Sequence, residues 1–160
     1  MLSLIPMQNS EIAFARVIKL VSVRDRSIHE LRERLCGEGF NPEIVEATLQ
    51  RAIDCGLLDD ERFAQAYIRG KLHAGWGCAR IERELASYGV EASSLAGYPE
   101  LFFDEDEEIK RAVQELRRLT TTAKNLHEAR YRRLASKGYK VAVIQAAVCL
   151  VEREDGLPDL

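Results

Sequence analysis

The side chains of this sequence that could do chemistry are mostly basic, and they concentrate in two stretches. The first surrounds a Gly-Trp-Gly turn, and its members are Arg69, Lys71, Trp76, Arg80 and Arg83. The second contains a single acid, Glu128, and its bases are Lys124, Arg130, Arg132, Arg133, Lys137 and Lys140. Guanidinium and ammonium groups bind carboxylates and phosphates, and tryptophan and arginine are favoured at interfaces. We therefore predict that these residues bind an acidic partner, either protein or nucleic acid.

Each stretch also has a purely structural interpretation. The bases of the second stretch could form a solvated helix surface. Trp76 could pack at a junction between two parts of the fold instead of contacting a partner. The sequence leaves both interpretations open.

No set of side chains predicts catalysis or a bound cofactor. The adjacent acids Asp59, Asp60 and Glu61 are typical of a helix start, where they cap N–H groups and favour the positive end of the helix dipole. No nucleophile elbow and no glycine-rich phosphate-binding loop occurs. The four cysteines form no CxxC pair and the three histidines do not cluster with them. We predict a protein that is not an enzyme and takes no metal, cofactor or small-molecule substrate.

Composition indicates a folded protein rather than a disordered tail. Of the 160 residues, 46% are hydrophobic and 31% are charged, which suits a helix-rich domain. No leader pattern opens the sequence, and no apolar run reaches the length needed to span a membrane. The cysteines are interpreted as buried thiols in a reducing compartment. These observations predict a cytoplasmic protein without a membrane partner.

Charge is distributed unevenly along the chain. The net charge is −3, so the whole molecule does not look like a polyanion binder. The segment Glu100–Glu108 carries six acids and no base. It is interpreted as a solvated helix start, as a contact for a basic partner surface, or as a shield for the basic stretch within the molecule.

A motif that repeats three times organises the chain. It reads leucine, four residues later glycine, then an apolar residue, and it occurs at Leu35 with Gly39-Phe40, at Leu85 with Gly89-Val90, and at Leu134 with Gly138-Tyr139. The glycines are 50 and then 49 residues apart. A fixed period of this length predicts a tandem array of helical repeats.

Helix start signals divide each repeat. Caps are predicted at Asn9 or Ser10, at Ser27 with Glu30, at Asn41 before Pro42, at Asp59 or Asp60, and at Asn125. A further helix is predicted from Asp104 to about Leu119. We expect Ser93–Pro99 to form a short helix or irregular turn, and the apolar segment Val141–Val151 to form a buried helix or one that packs on a partner. No strand pattern appears. The predicted fold is all-α, with an N-terminal helix in 1–25, three-helix repeats in 26–75 and 76–122, and a third repeat with a tail, Asp155–Leu160, in 123–160.

An ordered set of motifs resembles the RecX family of bacterial recombination regulators. Its central part is the run Leu57–Ala64, followed by Gly75-Trp76-Gly77, Arg80-Ile81, Glu84-Leu85 and Gly89-Val90. The flanking motifs are Ser27, Glu30-Leu31, Leu35 and Gly39-Phe40 on one side, and Arg132-Arg133-Leu134 with Gly138-Tyr139 on the other. The resemblance covers about residues 10–152. The sequence departs from the family pattern at Ser93–Pro99 and in the acidic run.

The resemblance implies an elongated, curved array of three-helix repeats that binds filaments of the RecA recombinase. It implies modulation, usually inhibition, of recombinase, ATPase and co-protease activity in DNA repair and the SOS response. Two other functions stay open: a free-standing module that binds single- or double-stranded DNA, because paired helices resemble helix-turn-helix units, and an adaptor for another protein. The residues do not decide between inhibition and stimulation, nor the oligomeric state.

Overall fold

The computed structural model describes residues 4–156, which form helices and turns only. The α-helices are α1 (Leu4–Val21), α2 (Ile28–Gly37), α3 (Pro42–Asp54), α4 (Asp60–His73), α5 (Cys78–Ser87), α6 (Glu105–Arg117), α7 (Leu126–Lys137) and α8 (Val141–Glu154). A 3-10 turn, Ala92–Ser94, stands between α5 and α6. No strand occurs among these residues, and the predicted all-α repeat array is confirmed. None of the described helices has the length and apolar content needed to cross a membrane.

Most of the predicted helix caps are confirmed, and the helix predicted from Asp104 has a side-chain cap there. A side-chain oxygen accepts a hydrogen bond from a backbone N–H of the first turn at Ser27 (3.1 Å), Asn41 (2.9 Å), Asp59 (2.9 Å), Asp104 (2.9 Å) and Asn125 (3.1 Å). These bonds satisfy N–H groups that have no acceptor inside the helix. The local sequence therefore sets where α2, α3, α4, α6 and α7 begin.

The predicted start of the first helix is wrong. Asn9 and Ser10 were expected to cap it, but α1 already begins at Leu4 and passes through both residues. Asn9 is exposed, and a polar residue on the exposed side of a helix has the same local pattern as a cap. The expected turn at Ser93–Pro99 is confirmed by the 3-10 turn and the bends after it. Of the predicted tail, residues 157–160 lie outside the described residues.

The repeated glycines adopt the same backbone conformation. Gly39, Gly89 and Gly138 have φ of +90°, +75° and +83°, a region that side chains disfavour. The leucine four residues before each glycine is fully buried. In the first and third copies the apolar residue after the glycine donates its N–H to that leucine's carbonyl, at 3.2 Å in both. The sequence motif therefore repeats because the same helix-ending turn repeats in the structure.

The chain divides into two compact units, each with its own core. The first contains the residues up to Ala66 together with Ser87–Val90, and the second contains Tyr67–Ala86 and the residues from Glu91 onward. The core of the first unit consists of Val17, Leu20, Leu31, Leu35, Val45, Leu49, Ala52 and Leu58. These residues come mainly from α1, α2 and α3, and α1 packs along α3.

The core of the second unit joins α6, α7 and α8. It consists of Ala112, Val113, Leu116, Leu134, Tyr139, Val143, Ile144, Ala147, Val148 and Val151. The apolar segment of α8 contributes five of these, so its interpretation as a buried helix is confirmed. One core groups α1 with α2 and α3, and the other groups α6 with α7 and α8. The predicted repeats, with boundaries at 26, 76 and 123, begin instead with α2, α5 and α7. This division into repeats stays a prediction.

An acid bonds to the start of a neighbouring helix in each unit. In the first unit the Asp60 carboxylate accepts the N–H of Ile28 at 2.8 Å. In the second, the Glu108 carboxylate accepts the N–H of Cys78 at 2.9 Å. Glu108 is buried, so this end of the acidic run is not solvated, whereas Glu105, Asp106 and Glu107 are exposed. The acids at 60 and 108 therefore serve the helix packing.

Candidate partner-binding surface

The Gly75-Trp76-Gly77 loop joins α4 to α5 and is fixed by the turn between α7 and α8. The N–H of Gly77 donates to the Lys137 carbonyl at 2.9 Å. The hydroxyl of Tyr139 donates to the Gly75 carbonyl, also at 2.9 Å. A Cβ at residue 77 would lie 2.3 Å from the Tyr139 nitrogen, so glycine is needed for this approach. The loop therefore has a defined position within the second unit.

Trp76 stacks with two cations. The Nζ of Lys71 lies 3.9 Å from the centroid of the indole, and the Cζ of Arg80 lies 3.7 Å from it. Both cations therefore lie within cation–π contact of the same indole.

Arg80 is held in this position by two further contacts. Its Nη1 donates to the Ser136 carbonyl at 3.3 Å, and its Nε lies 3.4 Å from the Glu84 carboxylate. Burial raises the pKa of Glu84, but hydrogen bonds from Tyr67 and Arg80 outweigh it, and the net pKa is lowered. Glu84 is therefore ionised at neutral pH and keeps the guanidinium beside Trp76.

Glu115 gathers the bases of α7 beneath the same loop. Its carboxylate lies 3.2 Å from Nη2 of Arg133 and 3.4 Å from Nζ of Lys137. Only 5% of the Glu115 side chain is exposed. Nζ of Lys137 also donates to the carbonyl of Ala74 at 3.3 Å. A buried acid on α6 thus connects the basic stretch of α7 to the tryptophan loop.

Five of the predicted site residues are brought together by these contacts. They are Lys71, Trp76, Arg80, Arg133 and Lys137, which we call the Trp76 cluster. Two carboxylates, Glu84 and Glu115, face its four bases, so the cluster keeps an excess of positive charge. Trp76 is partly buried, so it both packs at the junction with α7 and presents part of its surface.

The other predicted site residues lie outside the cluster. Arg130 pairs with Asp155 and lies 3.8 Å from Glu152, and only 11% of its side chain is exposed. Arg132 is exposed on α7, 3.9 Å from Glu128. Lys140 lines a small cavity beside α6 with Cys78 and Glu108 among its walls. Arg69, Arg83 and Lys124 are exposed.

Sequence reasoning missed Glu115, although the chain carries a sign of it. Glu108, Ala112 and Glu115 follow each other at spacings of four and three, so they share one face of α6. All three are buried. Acids on the buried face of a helix need a partner. The spacing of Glu108 and Glu115 on one face with Ala112 is therefore the sequence feature from which a buried, paired acid could be predicted. In residues 4–156 no group of three or more metal-ligating side chains comes together.

Comparison with known proteins gives one consistent family. A model described as the first three-helix domain of RecX matches residues 13–51, and one described as the second three-helix domain of RecX matches residues 59–94. The regulatory protein RecX of Mycobacterium sp. strain KMS is 37% identical over 91 residues, which cover 54% of this chain and 50% of that protein. The regulatory protein RecX of Halalkalibacterium halodurans is 31% identical over 139 residues, covering 84% of this chain and 52% of that protein.

The fold agrees with a solved structure. The crystal structure of RecX from Lactobacillus salivarius superposes with a TM-score of 0.78 at 15% identity, covering 92% of this chain and 99% of that chain. These findings define an all-α protein assembled from RecX three-helix domains. The chain belongs to the RecX family. It spans about half the length of the curated relatives that it matches.

Proposed function

We propose that this chain is a regulator, not an enzyme, that binds filaments of a RecA-type recombinase and lowers their recombinase, ATPase and co-protease activity. Relatives named as regulatory proteins support a regulatory role. The observation that carries the proposal is the Trp76 cluster, where four bases and the single tryptophan of the chain lie on one RecX-type scaffold. DNA repair and the SOS response are the processes this activity would serve, in the cytoplasm.

The chemistry of the cluster favours a carboxylate-bearing protein surface. The indole stacks on the cations Lys71 and Arg80, which restricts their motion and lowers the entropy lost on binding. Arg80 can donate to a carboxylate in the fork geometry that arginine offers. Interface energy concentrates in anchors of these residue types. An acidic segment of the recombinase filament is therefore the partner that fits.

The stacking of Trp76 disfavours a role in binding single-stranded DNA by base stacking. Proteins that bind single strands stack successive bases on open aromatic faces. Two cations already stack on the indole of Trp76, and the net charge of the chain is −3. DNA contact through phosphate alone is the form that this alternative would take.

Regulation follows from selective binding. A regulator that binds one state of the filament more tightly than another shifts the population toward the bound state. A repeat protein is suited to this task because its units present surfaces in series to a polymer. Binding to the less active state would lower ATP hydrolysis.

The test is single-strand-DNA-dependent ATP hydrolysis by the cognate recombinase, titrated with this protein. We expect the wild type to lower hydrolysis, and Trp76→Ala and Arg80→Ala to need about 30-fold more protein, the loss typical of an interface anchor. Lys110→Ala is the matched control, since it removes an exposed base of the same unit whose partner is Glu107. Circular dichroism checks the fold of each variant.

Two results would contradict the proposal. One is a wild-type protein that neither binds the filament nor changes its ATP hydrolysis. The other is a Trp76→Ala/Arg80→Ala double variant that inhibits as well as the wild type. Tight, salt-sensitive binding to DNA without recombinase, combined with no effect on hydrolysis, would support the alternative of a nucleic-acid-binding module.

A further inference from the structure

A small cavity in the second unit combines a buried acid with an apolar wall. Its volume is about 230 Å³. Pockets that hold whole small molecules usually measure about 300–1,000 Å³, so this one has room for a single side chain rather than for a cofactor. We call it the Glu108 cavity, and its lining residues include Pro99, Phe103, Glu105, Glu108, Lys140 and Val143.

Glu108 lines this cavity with a carboxylate that has one oxygen to spare. The residue is only 4% exposed. Its Oε1 accepts the N–H of Cys78 at 2.9 Å, whereas within residues 4–156 its Oε2 makes no hydrogen bond and no ion pair. A buried carboxylate without a full set of donors is costly. A cationic donor that enters the cavity would supply the missing bond.

The apolar wall of the cavity fits the stem of a long side chain. Phe103 is partly buried, and its ring contacts the ring of Tyr98 edge-on, with 5.9 Å between the centroids. Pro99 and Val143 line the same cavity. Long basic side chains pack their methylene groups on such surfaces and keep the charged head beside polar groups. An apolar wall next to a buried carboxylate therefore suits a lysine or an arginine.

Charge around the cavity also favours a cation. Its lining carries two acids, Glu105 and Glu108, and one base, Lys140. Asp104 and Asp106 are exposed on either side of Glu105 at the start of α6. Lys140 is exposed as well, and none of the ion pairs within residues 4–156 includes it. The cavity therefore keeps a negative charge that a cation from outside can balance.

We propose that the Glu108 cavity binds an arginine side chain of the partner protein. A guanidinium is less strongly hydrated than an ammonium, donates through several N–H groups and stacks on aromatic rings. It would donate to Oε2 of Glu108 while its stem packs on Phe103. The identity of the partner rests on the proposed function, in which it is the recombinase filament.

The cavity lies next to the Trp76 cluster along the chain. Cys78, which also lines the cavity, is two residues from Trp76, so their Cα atoms are at most about 7 Å apart. Lys140 is three residues from Lys137. The partner would thus present an acidic group to the cluster and an arginine to the cavity. Two opposite charges side by side fix the orientation in which the partner binds.

A small probe tests the cavity without the filament. N-acetylarginine amide is titrated into the full chain at constant ionic strength, with N-acetylcitrulline amide as the uncharged probe of the same shape. The NMR signal of the Cys78 amide reports binding, because this N–H bonds to Glu108. We expect a saturable shift at roughly millimolar arginine probe, none with the citrulline probe, and none in Glu108→Gln. Equal shifts with both probes, or no shift with the arginine probe, would overturn the proposal.

Matched variants test the cavity in the complex with the filament. Glu105→Gln and Asp106→Asn each remove one exposed acid from the first turn of α6, but of these two residues Glu105 lines the cavity. We expect Glu105→Gln to need about 3-fold more protein than the wild type to lower ATP hydrolysis, and Asp106→Asn to match the wild type. Glu108→Gln should need about 30-fold more, and circular dichroism checks its fold. Equal inhibition by Glu105→Gln and Asp106→Asn would overturn the proposal.

Lys140 gives a test of opposite sign. Because its charge repels a guanidinium in the cavity, Lys140→Gln should bind the arginine probe about 3-fold more tightly and inhibit the filament at lower concentration. If Lys140 bound an acidic partner instead, as the sequence predicts, the variant would inhibit less well, and that result would overturn the proposal. A wild type without any effect on the filament would contradict the proposed function, and the probe titration would then decide the cavity by itself.

Discussion

Tyr139 donates its buried hydroxyl to the carbonyl of Gly75 at 2.9 Å, across 64 residues of sequence. The residue that follows the third glycine turn therefore fixes the loop that carries Trp76. Any surface formed by Lys71, Trp76 and Arg80 depends on this bond and on the N–H bond of Gly77 beside it. The Trp76 cluster is thus tied to the packing of α7 and α8.

Removing the Tyr139 hydroxyl should weaken both the fold and the loop. Tyr139→Phe leaves the buried Gly75 carbonyl without its donor, which costs about 1–3 kcal/mol in the free energy of unfolding. Urea denaturation measures this, and the emission of Trp76, the only tryptophan, reports the loop. Tyr131→Phe is the control, because the Tyr131 hydroxyl makes no hydrogen bond within the described residues. Equal stability and emission for both variants would mean that the bond does not hold the loop.

Glu115 should matter more than its exposed neighbours on α6. Glu115→Gln removes the charge that Arg133 and Lys137 share, and we expect a loss of about 1–3 kcal/mol in the free energy of unfolding. Glu107→Gln is the comparison, because the exposed pair of Glu107 with Lys110 contributes at most about 0.5 kcal/mol. Thermal unfolding of both variants gives the difference. Similar losses for the two would show that burial adds nothing to the role of Glu115.

The cysteines should differ sharply in reactivity. Burial raises the pKa of the Cys78 thiol to about 12, and its hydrogen bond to Glu82 adds to the effect. Cys36 and Cys55 are exposed, so the expectation of buried thiols is wrong for these two. Only thiolates are alkylated, so we expect iodoacetamide at pH 8 to label Cys36 and Cys55 first and Cys78 only as the protein unfolds. Mass spectrometry of digested samples checks the order, and Cys78 labelled as fast as Cys36 would contradict it.

The Gly39 turn should lose stability in acid. The hydrogen bond from Arg16 outweighs the effect of burial and, with Arg34, lowers the pKa of Glu38 to about 2 from its ordinary 4.5. A lowered folded-state pKa stabilises the fold fully above 4.5, and this contribution disappears as the pH falls toward 2. Glu38→Gln should therefore be less stable than the wild type by about 1 kcal/mol at pH 7, a figure reduced for solvent screening. Denaturation curves from pH 7 to 2 should show the difference shrinking below pH 4.5; a constant difference would exclude the ion pair as its cause.

Local sequence was sufficient for most of the fold because caps and glycine turns act within a few residues. Ser27, Asn41 and Asn125 bond to N–H groups two or three positions away. The start of α1 was misplaced because Asn9 and Ser10 look the same whether they cap a helix or lie on its exposed face. Glu108 was misjudged for the opposite reason, since its partner, the N–H of Cys78, lies 30 residues away.

The candidate surface was only partly predictable. Residue type identified Trp76 and its flanking bases, but helical spacing could not separate Arg130 from Arg133. Arg130 turns to the end of α8 and pairs with Asp155, whereas Arg133 turns to Glu115 on α6. Which acid a base meets depends on the packing of three helices, and no local pattern contains that information.

The glycine turns have a consequence for how such a chain can change in length. In the first unit a Cβ at Gly89 would lie 2.6 Å from the Cβ of His29 on α2, and in the second unit a Cβ at Gly138 would lie 2.2 Å from the Cβ of Arg80 on α5. In both units a glycine turn thus packs on the start of another helix. A duplicated segment of about 50 residues would therefore meet compatible neighbours on both sides without any new interface having to arise. Proteins of this design can gain or lose whole units during evolution, and their length changes in steps of one repeat.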